Sequence, residues 1–294
     1  MTEQRLDQLQ KRPYRNVEFR LPWGKLRGEY YGHYNQPLII ALHGWLDNAA
    51  SFRELAPLLT DYSVLCLDLA GHGQSDHRPT GVRYHLVDNV DDIMGVVDLV
   101  GVNEYILVGH SMSAGFTPYL SAIDKRVKKL VLIEGIGSQS NGPDKAVTTL
   151  ATAVAEQKRS LRASMPVYAD YGAAVAARVN VVGRVSEQAA ATLCERGLKK
   201  VEGGVSWTSD PRLRTSSALR FPEDFIHAFL QALEIPVLLL LGKDSAFKVE
   251  PFYSERVKQV KDIQVKSLSG NHHLHLEKDS VGNVADEINS FLKA

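Results

Sequence analysis

Six short apolar runs punctuate the chain: Leu38 to Leu42, Val64 to Leu69, Tyr105 to Val108, Leu130 to Ile133, Val237 to Leu241 and Ile263 to Leu268. Their near-continuous Val, Ile and Leu content, in place of strict alternation, predicts parallel strands covered by helices on both faces. Helical patterns occupy the intervals, at Ser51 to Leu59, Val87 to Val100, Met112 to Ser121, Tyr253 to Val260 and Val281 to Leu292, with Asp or Ser near several starts. Ahead of the first run, Val17 to Leu21 and Leu26 to Tyr31 alternate as an antiparallel hairpin turning at Pro22 to Gly24.

The strand signal disappears between Gly137 and Glu234. Ala-rich helical patterns replace it, around Lys145 to Leu161, Tyr171 to Val182 and Glu187 to Gly197. Lying between the runs at 130–133 and 237–241, this segment is expected to sit over the carboxyl ends of the strands, where ligand clefts of such sheets form. The expected organisation is therefore a doubly wound, mostly parallel α/β core from 1–137 and 235–294, with a helical cap inserted at 138–234.

The 294 residues have a formal net charge of zero, 44% hydrophobic and 23% charged residues, which suits one globular unit with a sizeable insertion. No basic surplus points to nucleic acid. Cys66 and Cys194 lie far apart in sequence and suggest no disulfide framework, in keeping with a reducing compartment. The opening Met-Thr-Glu-Gln-Arg carries charges rather than an apolar leader, and no run approaches the ~18 apolar residues of a membrane span. A cytoplasmic location is expected, and the oligomeric state is left open.

The chemistry concentrates in Leu107-Val108-Gly109-His110-Ser111-Met112-Ser113-Ala114-Gly115, which runs from a strand through a serine into a helix. Such a junction is a nucleophile elbow: a sharp, strained turn that projects the Ser111 hydroxyl beyond the sheet edge. Gly109 supplies one small neighbour, and Ser113 stands where the usual pattern has a second glycine. A serine hydroxyl needs a base to take its proton and an acid to orient that base. The loop Ser269-Gly270-Asn271-His272-His273-Leu274-His275-Leu276-Glu277, between the last strand and the last helix, is rich in imidazole, and His272 is the first choice within it. A metal reading of His272, His273 and His275 has no partner carboxylate or cysteine cluster in the sequence to complete a shell.

Elbow, insertion and terminal histidine loop together resemble the α/β-hydrolase superfamily from about Val17 onward, and more narrowly the serine hydrolase-like proteins. His43-Gly44-Trp45-Leu46-Asp47-Asn48-Ala49-Ala50-Ser51-Phe52 is similar to that group's oxyanion loop, Asp68-Leu69-Ala70-Gly71-His72-Gly73-Gln74-Ser75 to the superfamily's next loop, and Trp207-Thr208-Ser209-Asp210-Pro211-Arg212-Leu213 to a stretch of the cap. The resemblance implies an α/β-hydrolase fold, the chain order serine, acid, histidine, and oxyanion amides from Trp45 and Met112. His272 lies five residues before Glu277, as the catalytic histidine of the superfamily does before an acidic residue, with Asn271 in place of a common glycine. His43, His72 and His110 are expected to be structural or to line the pocket.

Two acids remain open. Asp244 follows the strand that most often carries the acid, but at the usual Gly-x-x-Asp position this chain has Ser245. Glu134 ends the preceding strand, the alternative position used by some relatives such as haloalkane dehalogenases; it is the preferred candidate because solvation poorly explains a glutamate ending a core strand. The expected function is a carboxylesterase-type serine hydrolase acting on a small-molecule acyl substrate through an acyl-enzyme, with no cofactor and no metal. Carbon–carbon bond hydrolysis, thioester hydrolysis and perhydrolysis on the same triad, or a ligand-binding pseudoenzyme, are the alternatives.

Overall fold

The computed structural model describes residues 14–180, 184–247 and 253–294. An N-terminal hairpin of β1 (Tyr14–Leu21) and β2 (Gly24–Tyr31) leads into β3 (Leu38–Leu42), β4 (Ser63–Asp68), β5 (Tyr105–His110) and β6 (Val127–Ile133). Three short strands of the inserted segment follow, β7 (Val167–Tyr168), β8 (Leu198–Val201) and β9 (Gly204–Trp207), before β10 (Val237–Gly242) and β11 (Ile263–Leu268). The main sheet has eight strands in the order β1-β2-β4-β3-β5-β6-β10-β11. The hairpin pairs antiparallel with itself and with β4, and every later pairing is parallel.

Side-chain alternation lets each buried strand serve two layers. Leu38, Ile40 and Leu42 of β3 point into one core with Leu107, Leu132 and Leu239, while Ile39 and Ala41 point into the other with Val108, Ile133 and Leu240. The first layer is closed by α1 (Asp88–Val100), α2 (Met112–Ile123) and, from the end of the insertion, Ile226 and Leu230. The second is closed by Phe52, Leu55 and Leu59 and by the C-terminal helix, whose Val281, Val284, Ala285, Ile288 and Leu292 form one buried stripe.

The inserted segment holds α3 (Ala146–Ser160), α4 (Tyr171–Val179), α5 (Glu187–Gly197) and α6 (Glu223–Gln231), with α7 (Ser254–Val257) and α8 (Lys278–Lys293) completing the core. Several sequence expectations shift. Ser51 to Leu59 forms two 3-10 turns, Ala49–Phe52 and Ala56–Leu58, because Pro57 removes a donor and Asn48 caps the first turn through the Ala50 amide. The insertion is not wholly helical: β7, β9 and β8 make an antiparallel sheet around Gly203 and Gly204, both at positive φ. Of the helix expected at Tyr253 to Val260 only one turn forms, and the end of the helix expected at Tyr171 to Val182 lies outside the described residues. Among the described residues no helix is long and apolar enough to cross a membrane, and both cysteines are buried free thiols.

Candidate active site

Three side chains from three strand ends meet at the carboxyl edge of the sheet. β5 passes into α2 through Ser111, which adopts φ 51° and ψ −107°, a conformation that a non-glycine residue holds only when its surroundings enforce it. The Ser111 amide is fixed by the Ile133 carbonyl at 2.8 Å. Tight packing also demands Gly109, where a Cβ would fall 2.7 Å from Thr117 Oγ1 and 3.0 Å from the Ala114 nitrogen. Ser113, the departure from the usual small-residue pattern, is fully buried and donates to the His43 carbonyl at 2.6 Å, so its hydroxyl ties the start of α2 to the end of β3.

His272 bridges the serine to an acid. Its Nε2 lies 2.9 Å from Ser111 Oγ and its Nδ1 2.9 Å from Glu134 Oε2. Glu134 is 1% exposed and stands at φ 60°, immediately after β6, with its own amide donating to the Leu240 carbonyl at 2.9 Å. Its carboxylate accepts from the Gly242 amide at 2.5 Å and from the Ser245 hydroxyl as well as from His272. Asp244 is exposed instead, and its carboxylate accepts from the Gly270 amide at 3.4 Å. Ser245, whose place the usual pattern would give to the acid, thus donates to the carboxylate carried by the neighbouring strand.

The opposite side of Ser111 is bounded by the loop after β3. A Cβ on Gly44 would lie 2.8 Å from His110 Nδ1 and 3.3 Å from Ser111 Cβ, so only glycine lets this backbone approach the serine. The next peptide leads to Trp45, and Leu46 follows at φ 62°. Trp45 itself is half exposed; its indole N–H donates to the Leu213 carbonyl of the inserted segment at 2.8 Å. Met112 opens α2, and the amides of a first helical turn have no intrahelical acceptor.

His43, His72, His110 and His275 are buried. His43 donates from Nδ1 to the Gly44 carbonyl at 2.7 Å and accepts the Leu69 amide on Nε2 at 3.0 Å, which fixes a neutral tautomer; burial lowers its pKa to about 4. Burial likewise lowers His275 to about 3, with Ser51 Oγ 2.8 Å from its Nε2, and His72 to about 3. His110 Nε2 donates to the His272 carbonyl at 2.9 Å, and burial among three other histidines holds its pKa well below 6.5.

One polar cluster beside the site was not evident from the sequence. Asp47 accepts from His273 Nε2 at 3.1 Å and from Arg178 Nη2 of α4 at 2.8 Å. Burial would raise the Asp47 carboxyl, but its contact and hydrogen bond with His273 and the Arg178 guanidinium hold it well below the ordinary value. Asp47, His110 and His273 could bring three ligand atoms within 4.8 Å of one another, yet Arg178 places its guanidinium 2.8 Å from the carboxylate and 3.4 Å from His273 Nε2, a donor set that repels a cation. The insertion also reaches the core through Arg196 of α5, 2% exposed, whose guanidinium contacts the Asp68 carboxylate at 2.8 Å and Glu29 at 3.2 Å.

Residues 37–279 match the model of the α/β-hydrolase fold family. A serine hydrolase-like protein of Danio rerio is 30% identical over 94% of this chain and 88% of its own length. A hypothetical protein of Pseudomonas aeruginosa PAO1, solved by crystallography, is 36% identical with a TM-score of 0.91, covering 95% of this chain and 99% of that one. The thioesterase domain of the curacin biosynthetic pathway shares the fold at a TM-score of 0.83 and 22% identity, over 96% and 99% of the two chains. Elbow, strand order and these likenesses agree, and the chain belongs to the α/β-hydrolase superfamily, close to the serine hydrolase-like proteins.

Proposed function

We propose that this hydrolase cleaves a carboxylic ester or related acyl substrate through an acyl-enzyme on Ser111. The observation that carries the reading is the unbroken line from Ser111 Oγ to His272 Nε2 and from His272 Nδ1 to Glu134, at 2.9 Å in each step. Ser111 Oγ attacks the acyl carbon while His272 Nε2 takes the hydroxyl proton, and the resulting imidazolium is held by the Glu134 carboxylate. The tetrahedral intermediate collapses as His272 returns the proton to the leaving oxygen. Water then attacks the acyl-serine with His272 again as base, releasing the acid and restoring the serine.

Charge on the intermediate's oxygen needs donors placed in advance. The Trp45 and Met112 amides are assigned that task, supported by the close approach of Gly44 to Ser111 and by Met112's place at the start of α2. Glu134 is taken as the acid and Asp244 as a loop residue. The segment 138–234 is assigned as a cap, on the strength of its contacts with Trp45, Asp47 and Asn48 in the loop beside the serine.

Treatment with a fluorophosphonate probe followed by peptide mass spectrometry tests the assignment. Covalent modification of Ser111, abolished in Ser111→Ala, is expected. A folded protein that takes no label, or labels elsewhere, overturns the reading and favours a ligand-binding role for the pocket.

A further inference from the structure

We infer that Arg178, Asp47 and His273 form a positioning relay that ties the inserted segment to the two loops flanking Ser111, an inference that rests on the serine-hydrolase reading above. Asp47 stands two residues beyond Trp45 and His273 directly follows His272, so one buried carboxylate joins the loop assigned to the oxyanion and the loop assigned to the base. Arg178, from α4, supplies the countercharge on the carboxylate's other oxygen. All three side chains are less than 10% exposed. The groups facing Asp47 are His273, Arg178 and, with Nδ1 at 4.0 Å, His110.

Each loop is also constrained along its backbone. The Asp47 amide donates to the Gly44 carbonyl at 3.2 Å, closing the turn that contains Trp45 and Leu46. The His273 amide donates to Asn271 Oδ1 at 2.8 Å, and His110 holds the His272 carbonyl. With both main chains so tethered, a shift of Asp47 is transmitted to Trp45 on one side and to the His272 ring on the other. The Ser111 hydroxyl pairs with His272 and not with any of the three, so they are positioning residues, and they make the seating of the insertion a condition for aligned chemistry. A carboxylate left without its guanidinium in this buried site would drag in water or move, and displacement of catalytic groups by about 1 Å can cost about a hundredfold in rate.

The test compares wild type, Arg178→Met and Arg178→Lys by fluorophosphonate labelling rate, by kcat and KM on p-nitrophenyl acetate, and by the downfield imidazole N–H proton resonance of His272. Arg178→Met is expected to label and turn over about tenfold or more slowly with KM changed less than about twofold, and to shift or broaden the resonance. Arg178→Lys, which restores a cation beside Asp47, should recover most of the rate. Should Arg178→Met fail to fold, Asp47→Asn is read in the same way. A folded variant with a lower melting temperature but wild-type labelling rate and resonance overturns the relay, as does Arg178→Lys performing no better than Arg178→Met. Wild type that takes no label removes the hydrolase reading and the relay with it, whereas labelled wild type with unaffected Arg178 and Asp47 variants removes the relay alone.

Discussion

Glu134→Gln probes the acid with almost no change of shape. The carboxylate accepts from three donors: the Gly242 amide on Oε1, and the Ser245 hydroxyl and His272 Nδ1 on Oε2. A glutamine must turn its NH2 toward one side or the other. Facing Gly242, it sets two donors against each other in a fully buried spot; facing His272, it forces the imidazole to accept on Nδ1 and carry its proton on Nε2, pointing at the serine it should deprotonate. Ser245 can rotate to accommodate the change, but the Gly242 amide cannot, so the second orientation prevails. In a serine protease the analogous wrong-tautomer change lowers turnover about 10⁴-fold, equivalent to about 5.5 kcal/mol of transition-state stabilisation. Asp244→Asn, altering an exposed residue 3.4 Å from a loop amide, should cost less than about tenfold, or about 1.4 kcal/mol. Burst titration and steady-state turnover on an activated ester, with melting curves to establish folding, give both numbers. A larger loss in Asp244→Asn than in Glu134→Gln would refute the assignment of the acid.

Ser113→Ala should lose about 1–3 kcal/mol by denaturant unfolding, since it strands the buried His43 carbonyl 2.6 Å away; an unchanged midpoint would mean that a water takes the hydroxyl's place. Arg196→Met leaves Asp68 and Glu29 without their shared buried guanidinium and should cost about 3–5 kcal/mol, with a neutral result showing that Arg53 and local amides suffice for both carboxylates. His43, His72 and His275 have folded pKa values of about 4, 3 and 3, below the 6.5 of the unfolded chain, so the unfolded state binds more protons once the pH drops. Stability should therefore be intact above about pH 6.5 and fall as pH decreases toward 4, at a slope approaching about 4 kcal/mol per pH unit for three protons. Urea midpoints that stay flat between pH 6.5 and 4.5 would contradict neutral burial of these rings.

Much of this arrangement is legible in the sequence for identifiable reasons. Buried parallel strands need continuous apolar residues, so β3, β4, β5, β6 and β10 announce themselves, and Ser111 is conspicuous because it interrupts that pattern between a strand and a helix. Glu134 stands out as an acid at the end of a strand that is otherwise lined for burial. The small sheet of the insertion is hidden because β7, β8 and β9 span two to four residues each and include exposed Lys199 and Lys200, which leave no periodicity to read. Arg178 and Asp47 were equally silent: 131 positions apart, each resembles an ordinary surface charge until the fold places them 2.8 Å from one another.

The Arg196 contact also limits how the insertion can be recombined. A donor segment grafted in place of α5 would have to bring a guanidinium to the same point beneath it, or the buried carboxylates of Glu29 and Asp68 would lose the one cation they share. By contrast, α3 buries only Ala153 and leaves Val147, Leu150 and Val154 exposed. Library diversity aimed at new substrates would therefore be best spent on α3 and its flanks, where exchange disturbs little of the recipient's interior, with the α5 anchor kept as inherited.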